Sequence, residues 1–93
     1  MKRKLAFTAH YKYERIQRRT AQRLYESGCM IYVVGINQRI EHGIQIDKEL
    51  FCGGADFNTV INNWEYYNKP YYGYPTFYLE YPRFDSMNDI IHN

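Results

Sequence analysis

The 93-residue chain has only two cysteines, Cys29 and Cys52, too few for a disulfide framework. A reduced, cytoplasmic setting is therefore the simplest expectation. Histidine is scarce as well. His10, His42 and His92 stand far from one another and from both cysteines. Nothing has the close ligand spacing that zinc sites use, so no metal or cofactor is expected. No stretch approaches the roughly 20 apolar residues of a membrane span. The basic start, Met1-Lys2-Arg3-Lys4, is not followed by the apolar region of a signal peptide. The glycine pair Gly53-Gly54 precedes a helix start but lacks the Lys-Ser/Thr of a phosphate-binding P-loop. With no nucleophile, base or metal pattern present, a non-enzymatic protein is expected, and the length suits one domain.

What is abundant is tyrosine, with eleven residues, and positive charge in one region. Residues 1–23 carry eight Lys/Arg against the single acid Glu14, about +7, whereas residues 24–93 carry four against nine acids, about −5. Such segregation points to a polyanionic or acidic partner.

The chain is organised around Cys29–Ile46. Met30–Ile36 is an apolar, β-branched run that suits a buried strand. Ile40–Ile46 alternates and predicts a second strand, with Gly35, Asn37 and Gln38 in a tight turn between them. Lys4–Tyr13 also alternates, which predicts the first strand, with Leu5, Phe7, Tyr11 and Tyr13 on one side. From Tyr13 to Tyr25 the period becomes helical. Tyr13, Ile16, Ala21 and Leu24 face inward, and Arg15, Arg18, Arg19 and Arg23 form an outer basic stripe. Gly28 caps this helix. After the loop 47–55, Asp56 reads as an N-cap. Phe57, Val60, Ile61, Trp64 and Tyr67 then repeat at three and four residues. The second helix is expected to stop before Asn68-Lys69-Pro70. Thr76–Tyr81 is the last strand, ended by Pro82, and residues 85–93 form a tail in which Met87, Ile90 and Ile91 suit one helical turn.

The order β-α-β-β-α-β resembles the ferredoxin-like layout. That likeness implies an α+β domain over residues 1–93, with a four-stranded antiparallel sheet and both helices on one face. RNA-recognition motifs of this layout stack bases on aromatics of the two middle strands, which would be the first and third. The outward residues expected there, Lys4, Ala6, Thr8, His10, Arg39, Glu41, Gly43 and Gln45, include no aromatic, which argues against that mode.

Two surfaces remain as candidates. One is the stripe Arg15/Arg18/Arg19/Arg23, an array of forked donors that fits phosphate or carboxylate. The other is the tyrosine-rich stretch holding Tyr66, Tyr71, Tyr72 and Tyr74, the last three in a loop bounded by Pro70 and Pro75. Exposed phenols anchor proteins and stack on bases. Together they predict a small binding protein that engages a nucleic acid or a nucleoprotein complex. The alternative is a protein-protein inhibitor. In its small size and lack of catalytic motifs the chain is similar to the anti-CRISPR proteins, phage-encoded inhibitors of bacterial defence nucleases. That resemblance implies blocking of a nucleic-acid or subunit contact on a larger protein.

Overall fold

The computed structural model describes residues 4–83. They form β1 (Leu5–Phe7), β2 (Tyr11–Ile16), α1 (Arg18–Glu26), β3 (Ile31–Gly35), a 3-10 turn (Ile40–His42), β4 (Ile44–Ile46), α2 (Phe57–Tyr72) and β5 (Pro75–Pro82). The fold is α+β, with one antiparallel sheet in the order β1-β2-β5-β3-β4. The sheet thus has five strands where four were expected, and its order departs from the ferredoxin-like layout. The interior strands are β2, β5 and β3, so the third strand of the β-α-β-β-α-β series, β4, lies at an edge and the last, β5, at the centre. Burial explains the exchange. Every residue of β3 is buried, so it needs partners on both sides. β4 has three residues, of which only Ile46 is buried, and it serves as an edge.

The fifth strand comes from a turn that the alternation concealed. Lys4–Tyr13 is not one strand: the chain reverses at Thr8-Ala9-His10, and Leu5, Ala6 and Phe7 pair with Glu14, Tyr13 and Lys12. The Thr8 hydroxyl accepts the Tyr11 N–H at 3.1 Å, and the Thr8 N–H donates to the Tyr11 carbonyl at 2.9 Å. The reversal changes the phase, so Tyr11 and Tyr13 lie on the face opposite to Leu5 and Phe7. It also extends the chain as β2 to Ile16, and α1 begins only at Arg18.

Both helices lie on one face. There Ala21 and Tyr25 of α1 and Phe57, Ile61 and Trp64 of α2 close over Ile31, Val33, Ile46 and Phe77. At about 1.5–3 kcal/mol for each large side chain removed from water, this cluster is the main source of stability. Tyr25 keeps its hydroxyl satisfied in the core by donating to the Ala55 carbonyl at 2.7 Å. Burial raises its pKa above the ordinary 10.0.

The opposite face has a smaller cluster of Tyr13, Tyr32 and Val34, closed by Ile40 of the 3-10 turn. That turn replaces the first half of the expected second hairpin strand, and His42 on it is exposed. The Tyr13 and Tyr32 rings lie 4.5 Å apart. Tyr32 donates to the Ile40 carbonyl at 2.6 Å, and Tyr13 donates to Glu80 at 2.7 Å. Burial is the first cause of a raised pKa at both phenols.

α2 runs through Pro70 to Tyr72, past the boundary expected before Asn68. A proline in the last turn removes one bond near the solvent-exposed end and leaves the rest of the ladder intact. The helix stops at Gly73, whose φ of 76° suits glycine. Its end is seated on Gly35, where a Cβ would lie 2.4 Å from the Tyr72 Cβ. Its start is closed by another chain segment. Asp56 holds the N-cap position but makes no side-chain capping bond. Glu26, at the end of α1, accepts the Phe57 N–H at 2.8 Å and pairs with Lys48 at 2.8 Å. The Lys48 ammonium first, and the Phe57 N–H second, hold the Glu26 carboxyl below its ordinary range.

Among the described residues no helix is long and apolar enough to cross a membrane. The expected helical turn at Met87, Ile90 and Ile91 lies outside the described residues.

Candidate nucleic-acid interface

Strand register places the sequence-predicted residues. Ile16 pairs with Phe77 and Gly35 with Pro75, so β2 and β3 finish where β5 starts. α1 starts at this end with Arg18. α2 finishes here, tied by the Asn37 N–H to the Tyr72 carbonyl at 2.9 Å and the Ile36 N–H to the Tyr74 carbonyl at 2.9 Å. The two helices are therefore antiparallel. Arg18 and Arg19 at the start of one share an end of the molecule with Tyr71, Tyr72 and Tyr74 at the end of the other.

The four arginines do not form one helical stripe. Arg15 belongs to β2, half-buried on the helix-free face opposite Tyr78. Arg18, Arg19 and Arg23 are exposed on α1, the last two four residues apart and pointing away from the core. Among the described residues none of the four side chains makes an ion pair or hydrogen bond; the described pairs are Arg39–Glu41 and Lys48–Glu26. The first turn of α1 contains no acid. Two guanidiniums at a helix N-terminus oppose the backbone dipole, which there favours negative charge. This cationic end is held together by packing, against its own electrostatics, and an anion placed there would relieve the repulsion.

Tyr66, Tyr71 and Tyr72 are placed on the last turns of α2, and only Tyr74 lies in a loop, the short connection to β5. Tyr66, Tyr71 and Tyr74 are 78%, 77% and 54% exposed, and Tyr72 is partly covered by its seat on Gly35. Tyr67, which the wheel assigns to the core face, is 64% exposed and joins the same surface. The end of α2 is seated through Tyr72 on Gly35, and helical periodicity alone carries no sign of which turns of the helix are covered.

The helix-free face does contain aromatics, contrary to the expectation from alternation. Tyr11, Tyr13, Tyr32 and Tyr78 all lie on it: the Thr8–His10 reversal turns Tyr11 and Tyr13 of β2 to this face, where they meet Tyr32 of β3 and Tyr78 of β5. Tyr13 and Tyr32 are buried against each other and hydrogen-bonded, so they are structural and offer no base platform.

The opposite end of the helix layer is acidic, with Glu26, Asp47, Glu49 and Asp56 around Lys48. Its loop is firmly built. The Asp47 side chain accepts the N–H groups of Glu49 and Leu50 at 3.1 and 3.0 Å, and its carbonyl accepts those of Phe51 and Cys52, both at 3.0 Å. This loop holds Leu50 and Phe51 outward, 76% and 60% exposed. In the sequence the stretch reads as a loop with a glycine pair. The signal for an outward apolar pair is two large apolar residues between Asp47 and Gly53.

Among the described residues no three of His, Cys, Asp and Glu gather where they could share a metal ion. No protein family, curated protein or solved structure matches the chain.

Proposed function

We propose that this chain is a non-enzymatic binding protein that engages a nucleic acid or a nucleoprotein complex through its basic, tyrosine-rich end. The observation that carries the reading is the shared location of unpaired Arg18 and Arg19 with exposed Tyr71 and Tyr74. Residues more than fifty positions apart are brought to one end by antiparallel helices. Guanidiniums supply donors for phosphate oxygens, and phenols supply flat apolar surface beside them. Titration with a labelled oligonucleotide across a salt series tests it. If three or four phosphates are neutralised, log K falls against log[salt] with a slope of about −3. A salt-independent constant would count against the reading.

A second reading, a protein-protein inhibitor of the anti-CRISPR kind, is favoured by the Leu50-Phe51 loop. Large apolar side chains held outward on a hydrogen-bonded loop suit anchors for a protein pocket. In that case Leu50→Ser with Phe51→Ser abolishes capture of the partner, and the arginine variants do not.

A further inference from the structure

We infer that the nucleic acid taken at the arginine-tyrosine end is an unpaired strand, read by base stacking and therefore with little sequence preference. This rests on the nucleic-acid reading above and narrows its ligand. The geometry of the rings carries it. Tyr71 and Tyr72 have centroids 6.3 Å apart at 56°, and Tyr66 and Tyr67 meet edge to face at 5.0 Å and 83°. Neither pair is stacked in parallel, so each contact covers at most one ring face and leaves the others open. Tyr67 and Tyr71 stand one helical turn apart on one side of α2, about 6 Å along its axis, as successive platforms. Tyr74 extends the surface past the helix end. A duplex hides the faces of its bases inside the stack and shows only their edges in the grooves, which a phenol face cannot read. An unpaired strand offers both the faces and the phosphates. Stacking accepts any base, which is the source of the weak sequence preference.

The test compares three probes of about 12 nucleotides on the full chain by fluorescence anisotropy at low salt: a mixed-sequence single strand, its duplex, and an abasic strand with the same phosphates. The single strand is expected to bind at least about tenfold more tightly than the abasic strand, and more tightly than the duplex. Tyr71→Leu with Tyr74→Leu should remove about tenfold of single-strand affinity and leave abasic binding unchanged, with a thermal melt verifying the fold. Equal binding of all three probes overturns this inference and leaves the phosphate-binding reading standing. Tighter binding of the duplex overturns it in the same way. No binding of any probe overturns both.

Discussion

The two ends of the helix layer use charge in opposite ways. At the acidic end ionised side chains hold the chain in place: Glu26 closes the start of α2 and pairs with Lys48, and Asp47 organises the loop that follows β4. At the basic end Arg18 and Arg19 hold nothing, and they sit where the α1 dipole disfavours them. Charges that the fold needs are satisfied internally, and charges kept against the fold's own electrostatics are the ones to assign to a ligand.

The largest effect is expected from breaking that contrast at the basic end. Arg18→Glu with Arg19→Glu should weaken oligonucleotide binding by about 100-fold or more. The same change should raise stability, by about 0.3–1 kcal/mol for each acid introduced into the first turn. Binding isotherms and urea unfolding on one sample check both signs. If affinity and stability fall together, the arginines are structural after all.

Next in size is the seat of α2. Gly35→Ala drives a methyl into Tyr72 and should destabilise by about 1–3 kcal/mol, measured by chemical unfolding. It should also displace Tyr72 and Tyr74 and so weaken binding at the aromatic end.

The acidic end should also respond to pH in both directions. The folded state holds the Glu26 carboxyl below its ordinary 4.5, so its contribution is full at neutral pH and is lost as pH falls through the carboxylate range. Tyr25 holds its proton above the ordinary 10.0, so the unfolded chain releases that proton first, and stability falls as pH rises beyond 10.0. Glu26→Gln should flatten the acid limb of a Tm-against-pH profile and leave the alkaline limb in place. The smallest effect belongs to Leu50→Ser with Phe51→Ser, which should change stability by no more than about 0.5 kcal/mol.

The sequence reveals most where interactions are local. The i, i+3, i+4 repeat of Phe57, Ile61 and Trp64 marks α2, and the unbroken run Ile31–Val34 marks the buried strand. The exposure of Tyr71 and Tyr74 follows from crowding phenols between prolines. What it conceals depends on contacts distant along the chain. Thr8-Ala9-His10 lacks glycine, proline or asparagine, so alternation continues through a reversal that only pairing with Glu14 and Lys12 defines. The strand order follows from how much of β3 must be covered relative to β4. The cap on Phe57 comes from Glu26, thirty-one residues earlier, while the nearby Asp56 suggests itself and does not serve. Pro70 reads as a terminator, but its cost in a final turn is small and depends on which carbonyls face solvent, so α2 runs through it.

α2 is supported at both extremities, by the Glu26 carboxylate at one and by the Gly35 backbone at the other. A rod fixed at two points cannot swing, so the backbone that bears its terminal phenols keeps a set spacing from the start of α1. On the proposed reading the backbone of that surface is preorganised, and binding has only the arginine and tyrosine rotamers left to order.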